Sequence, residues 1–404
     1  MTEPTQERYR ILIIVVITMV NRSTSNMIQT SAPLFSKYLL RTSDFQISLM
    51  IMMANLAAIA SLTYFSRNKV QPMKLIFYGT VIIASSLPFF ILVNSIFALT
   101  VVYALISFWT AALPPLLLTA VILISTKEEL LKNIGIFSAS LSLSLIIGPT
   151  LQAIILTLTG NNLLLSILVF FPLTMFSAIL SYLIKDKQIE AKLSRLDFGL
   201  LKNRSYWLGV LSSISFSVPF LAIVSFGGIV FKETFGATYS QIEVIFLIFF
   251  LSSLTVRLSY GRIRPPKFRI AISSFILAAF GLLLLFFSKS ILDLGLSVIL
   301  LGCSHGVGLP LSAIYIVESV DKSSLSNANS FASLVSNLIR FLFAPLLGIV
   351  AELYGAIVVF AISILPVLVI GSIFGLLVVI ESRHRNSSST SGEERNTGRS
   401  DFQT

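Results

Sequence analysis

Apolar runs of about 20 residues, the length needed to cross a bilayer as a helix, follow one another through nearly the whole chain, separated by short breaks rich in charge or turn residues. Lipid cannot satisfy free backbone groups, so such runs must be helical. Reading between the breaks predicts twelve spans, near 11–36, 45–65, 74–93, 96–125, 134–159, 162–184, 206–231, 240–260, 269–288, 293–318, 329–351 and 354–381. Composition agrees: 55% of residues are hydrophobic and 12% charged, against about 25% charged in soluble domains. Mean hydropathy is +0.91. The expected fold class is an all-α membrane protein embedded in the lipid bilayer.

The same sequence excludes much chemistry. A single cysteine, Cys303, allows no intrachain disulfide and no Cys-based metal cluster. The histidines are His305 and His384, and no HExxH, GxSxG, GxxxxGK[ST] or GxGxxG pattern occurs. No cofactor and no enzymatic activity are expected. The net charge of +11 does not imply a nucleic-acid partner, because the cations fall in loops between apolar spans rather than on one folded aqueous face.

Those loops orient the chain. Arg8 and Arg10 precede the first apolar stretch, and Asn21-Arg22 then interrupts it without a small-residue cleavage pattern, so it reads as a retained helix. With both tails, the even-numbered connections and the middle loop on one side, 23 of the 29 Lys and Arg residues fall there, Arg257 among them. Lys37, Arg41, Lys232 and Lys289 lie opposite, and Arg22 and Arg340 stand inside spans. The asymmetry predicts cytoplasmic termini in a multi-pass protein of the cell membrane. The expected organisation is a tail (1–10), a six-helix bundle (11–184), a linker (185–205), a second bundle (206–381) and a disordered tail (382–404) poor in apolar residues.

The halves repeat. An offset of 195 aligns Gln46-Ile47 with Gln241-Ile242, Arg67 with Arg262 and Lys74 with Arg269, and an offset of 196 pairs Leu113-Pro114 with Leu309-Pro310 and Pro149 with Pro345. Basic and proline matches are informative where leucine matches are not. Two six-span halves in parallel orientation, joined by one polar loop, are a transporter repeat. On this pattern the chain resembles the major facilitator superfamily across residues 8–381. In that family a Gly-x-Leu-Ala-Asp-Arg-x-Gly-Arg-Arg-like loop follows the second span; Ser66-Arg67-Asn68-Lys69 keeps the arginine without the Asp and glycines, and Gly261-Arg262-Ile263-Arg264 departs similarly. The fifth-span pattern of many proton-coupled exporters survives as Ser144 to Gly148-Pro149. The resemblance implies two parallel six-helix repeats, alternating access about a central cavity walled by spans one, four, seven and ten, and conformational roles for Arg67, Arg262, Gly148 and Pro149.

Within the spans, Arg22 lies roughly 18 Å beyond Arg10 at about 1.5 Å per residue, deep in a core about 30 Å thick. Arg340 and His305 lie at a similar depth. Arg22, Asn26, Gln29 and Pro33 recur at helical spacing, as do Ser333, Ser336, Asn337 and Arg340, so each set forms one polar face. Asn21, Ser23, Thr24 and Ser25 widen the first. No acid stands near a midplane; Glu243, Asp293 and Glu318 sit near span ends. Buried arginines hold carboxylates or phosphates by directed hydrogen bonds. The expected function is secondary transport of a small organic or inorganic anion bound by Arg22, Asn26, Gln29, Asn337 and Arg340. His305 is the candidate for a coupling proton, and a monomer is expected. Gly302, Gly306 and Gly308 read as packing positions. The alternatives are a proton-coupled exporter of hydrophobic drugs, which a deep acid would favour, and, from another class, a polytopic membrane enzyme or receptor.

Overall fold

The computed structural model describes residues 3–67, 69–126, 128–184, 191–192, 198–263, 266–320 and 325–397. Twelve helices are long and apolar enough to cross a membrane: α1 (Glu7–Leu39), α2 (Asp44–Phe65), α3 (Pro72–Ile91), α4 (Ile96–Ile124), α5 (Lys132–Leu158), α6 (Leu163–Tyr182), α7 (Arg204–Phe235), α8 (Tyr239–Ser259), α9 (Lys267–Phe287), α10 (Ile291–Ser319), α11 (Ala328–Tyr354) and α12 (Val358–Ile380). They stand where the apolar pattern places them, with ends displaced by a few residues. Exposed Leu158, Phe280, Leu292 and Leu365 belong to an apolar outer surface, the kind a bilayer solvates. The backbone helix of α8 runs on to Ile263 and that of α12 to Thr397, past residue 382, where the sequence suggests disorder. Lys69–Val70 pairs antiparallel with Ala191–Lys192 of the linker.

Local chemistry starts and bends these helices. Ser95, Asn162 and Asn203 accept hydrogen bonds from the free amides that open α4, α6 and α7. Pro33 and Pro219 interrupt the ladders of α1 and α7, and π-turns follow at Phe35–Leu39 and Ile223–Gly227.

The repeat is written in the backbone. Arg41 (φ 55°) and Gly236 (φ 65°), 195 residues apart, are both left-handed in the turns before α2 and α8, and Gly160 (φ 64°) and Gly355 (φ 90°) match in the turns before α6 and α12. Gln46 and Gln241 align because each closes a reciprocal cap. Ser43 N–H donates to Gln46 Oε1 at 3.1 Å while Gln46 N–H donates to Ser43 Oγ. Thr238 and Gln241 make the same pair of bonds. The halves meet through two repeat-related pairs, α2 on α11 and α8 on α5.

Burial divides the molecule along its long axis. At the end away from the termini one apolar core spans both halves, including Met27, Phe35 and Ile47 of the first and Phe226, Phe231 and Leu347 of the second. Towards the termini there are two cores. One holds Ile14, Ile17, Met73 and Leu117 of the first half only; the other holds Tyr206, Leu211, Leu311 and Phe374 of the second. Among the described residues, the hydrogen bonds between the halves follow the shared core: Tyr38 to Glu233, Phe45 N–H to Glu352, and Ser240 N–H to Asn161. The bundle is therefore closed at the end away from the termini and parted at the other.

Candidate functional site

Two faces of α1 do different work. Asn21 Nδ2 donates to Ser177 Oγ of α6 at 2.8 Å, Thr24 and Thr174 hydroxyls meet at 3.0 Å, and Ser23 Oγ donates to the Ser144 carbonyl of α5 at 3.1 Å. Asn21, Ser23 and Thr24 thus tie α1 to its neighbours, because polar side chains between helices bond across the contact, and Asn21 also lines the cleft beside Arg22. Gly148 makes this approach possible. A Cβ there would stand 2.9 Å from the Ser23 carbonyl oxygen, so Gly148 and the adjacent Pro149 set α5 against α1 one residue from Arg22.

The other face carries Arg22, half-buried, into a narrow cleft lined by Thr18 and Ser25 of α1, Thr110 and Pro114 of α4, and Leu141 of α5. One to two turns further on, Asn26 is 2% exposed with its Nδ2 unpartnered, and Gln29 Nε2 donates to Ser25 Oγ at 3.2 Å. From the second half, α11 brings Arg340, whose Nε donates to the Ser336 carbonyl of its own helix at 3.3 Å. Ser336 Oγ meets Ser213 of α7 at 3.0 Å. Asn337 Nδ2 is engaged by the Ser333 carbonyl at 2.9 Å, on a more exposed part of α11. Arg22 and Arg340 lie within range of each other's charge, and Tyr103 of α4 adjoins Arg340.

A third arginine joins them. Arg257, which the loop count assigns to the water-facing side, is a residue of α8 just inside its Ser259 end. The helix continues past it, and its Nε and Nη2 are buried without a partner. Its charge acts on Arg22, and the charges of Arg22, Arg257 and Arg340 all act on His305. Among the described residues none of the three forms an ion pair with a carboxylate.

His305 occupies an aromatic cage. Its Nδ1 is 2.9 Å from Ser253 Oγ of α8, and its ring stacks on Phe220 at 5.1 Å and 10°. Phe216, Phe249 and Phe250 pack around it with ring centroids at 5.2–6.1 Å. Phe226 belongs to the shared core. Gly302 and Gly306 let α10 lie against the Phe249 and Ser253 backbone, and Gly308 approaches the Ser212 carbonyl, so all three are close-contact positions. The side chains of Arg67 and Arg262, at the ends of the α2 and α8 helices, lie outside the described residues.

Sequence reasoning passed over Arg257 and Glu243. Glu243 stands one turn inside the Tyr239 end of α8, yet it is 1% exposed and both carboxylate oxygens are buried. Its polar neighbour is Thr30 of α1. It stands near a span end, as the sequence suggests, and α1 packs against it there. The signal for Arg257 was available: Phe249, Ser253 and Arg257 recur every fourth residue, one stripe of α8. Among the described residues no group of three or more His, Cys, Asp or Glu side chains could hold a metal.

Two parallel six-span halves, joined at one end and parted at the other around buried polar side chains, have the architecture of a multi-pass membrane carrier. The chain belongs to the Major Facilitator Superfamily, whose model matches residues 12–263 and 208–403. No curated protein matches it in sequence. Its fold is similar to that of a bacterial homologue of the human lysosomal transporter Spinster in an inward-facing, occupied conformation, with a TM-score of 0.72, 13% identity, and 92% of this chain and 96% of that one covered. It is also similar to the nucleoside transporter NupG, with a TM-score of 0.70, 15% identity and coverage of 91% and 99%. The protein is a membrane transporter for a small molecule.

Proposed function

We propose that this transporter moves a small organic or inorganic anion by alternating access, bound between the halves by Arg22 and Arg340 with Asn26, Gln29 and Asn337 completing the polar walls. The observation that carries this reading is the set of buried guanidinium groups without a carboxylate partner. An uncompensated charge away from water is costly, and an anion on the guanidinium forks offsets that cost with charge-assisted hydrogen bonds. The cation asymmetry puts both termini in the cytoplasm, in the cell membrane, and the closed end then faces outward. In this orientation the conformation is open to the cytoplasm. The chain works as a monomer, since each monomer contains both walls of the cavity.

His305 is the proposed proton carrier. A proton on its ring and an anion among the arginines attract one another, so the two are taken up together. A second reading, a proton-coupled exporter of hydrophobic compounds, draws support from the phenyl cage and from Glu243, the buried acid that such a mechanism needs. Thermal stabilisation of the purified protein separates them, since ligands that bind only the folded state raise Tm. Stabilisation by carboxylates or phosphates upholds the anion reading; stabilisation by lipophilic cations alone replaces it.

A further inference from the structure

The anion reading was built on two arginines, and the structure holds three. Arg257 reaches the site from α8, a span with no assigned part in binding, and its Nε and Nη2 are buried without a partner. Its charge acts on Arg22 of α1 and on His305 of α10, and Arg22 in turn acts on Arg340 of α11. The three cations come from three helices, one in the first half and two in the second. The described acid on the same helix, Glu243, lies about four turns away at the closed end against Thr30. A ligand with one negative charge would leave two guanidinium groups uncompensated within range of each other's charge. A ligand with two charges on separate oxygens gives each fork a share and bridges both halves.

We propose that Arg257 is a third anchor of the anion site and that the substrate is an oxyanion carrying two negative charges, of the phosphate, phosphomonoester, sulfate or dicarboxylate kind. This rests on the anion reading and adds a charge count to it. The stripe Phe249, Ser253, Arg257 fits the role, since Ser253 holds His305 by the hydrogen bond at 2.9 Å and the guanidinium stands one turn further along the same face. A ligand gripped by Arg257 therefore lies beside the imidazole.

The test measures affinities of the purified full-length protein for inorganic phosphate at pH 8, sulfate, succinate and lactate by titration calorimetry. The wild type is expected to bind at least one of the three doubly charged anions about tenfold or more tightly than lactate, and which one it prefers separates phosphate from dicarboxylate chemistry. Arg257→Gln should weaken the preferred dianion about tenfold and leave lactate within about twofold, with Arg257→Lys between. Removing an unpartnered buried charge should not lower the Tm of the ligand-free variant, which serves as the folding control. An unchanged dianion-to-lactate ratio in a well-folded Arg257→Gln overturns the proposal while leaving the anion reading intact, as does equal binding of lactate and dianions by the wild type. Binding of none of these anions by the wild type overturns both.

Discussion

Tyr38 and Glu233 stand 195 residues apart, at equivalent positions of the two repeats, and they touch: the Tyr38 hydroxyl donates to Glu233 Oε1 at 3.3 Å. Equivalent positions can meet only near the axis relating the halves, so this pair marks where that axis leaves the closed end. Phe45 and Ser240 are likewise equivalent, and the amide of each donates to a side chain of the opposite half. Lys232 lies over the Tyr38 and Tyr239 rings at 5.3 and 4.5 Å.

If this end must open during transport, bridging it should stop the cycle. A Tyr38→Cys/Glu233→Cys protein treated with a cleavable bifunctional thiol reagent is expected to lose at least nine-tenths of its uptake, on the order of the labelled fraction, and to recover it on cleavage. Undiminished uptake after complete cross-linking would show that the closed end does not part.

Glu243 is buried beside the shared core, with the neutral Thr30 hydroxyl as its polar neighbour, an arrangement suited to the uncharged acid. Glu243→Gln keeps the shape and removes the ionisable proton, so its Tm at neutral pH should equal or exceed that of the wild type. Glu243→Lys places a cation in the same contact and should lower Tm by several degrees. A loss of stability in the glutamine variant as large as in the lysine variant would contradict the uncharged assignment.

Arg22 and Arg340 come from different halves and lie within range of each other's charge. Hydrogen bonds to charged groups are worth about 1.5–3 kcal/mol, so Arg22→Gln and Arg340→Gln should each weaken anion binding roughly tenfold to a hundredfold. Arg340→Lys should weaken it less, because it keeps the charge and loses only the fork. A ligand that bridges the pair makes the double variant less impaired than the product of the singles. Near-normal uptake by both single variants would remove them from the site.

For His305, the glutamine substitution retains hydrogen bonding to Ser253 and removes the titrating ring. His305→Gln vesicles are expected to bind the substrate normally but to lose accumulation driven by an imposed pH gradient. Gradient-driven accumulation at the wild-type level would exclude this histidine as the proton carrier.

Gly236 ends a helix with φ 65°. A side chain in the left-handed region costs about 1–2 kcal/mol, so Gly236→Ala should lower stability by about that amount. Gly375→Ala, at a helical position with open space around it, should not. Equal Tm values for the two variants would refute the strain argument.

The spans, the two halves and their relation were legible because each rests on a pattern longer than its noise: twelve apolar runs, and basic and proline residues recurring at one offset. Arg22 and Arg340 were legible because they interrupt apolar runs from within. Arg257 and Glu243 were less so, because each lies near the end of its run, where a side chain that reaches water and one roofed by a neighbouring helix look alike; for Arg257 only the four-residue spacing with Phe249 and Ser253 hints at a shared face. The His305 cage was hidden for another reason. Phe216 and Phe220 belong to α7 and Phe249 and Phe250 to α8, and only tertiary packing brings four ordinary phenyl rings around one imidazole.

The division into three cores bears on how the molecule is made. Chains fold domain by domain as they are synthesised, the first half before the second exists. Ile14, Met73 and Leu117 belong to a core that needs nothing from the later half, so the first bundle can assemble while the ribosome is still translating α7. Met27, Phe35 and Ile47, whose partners arrive later, can meanwhile be covered by acyl chains, which are as apolar as leucine. Two separately expressed half-chains, parted in the linker, should therefore find each other in the membrane through this shared apolar face and reconstitute a working carrier.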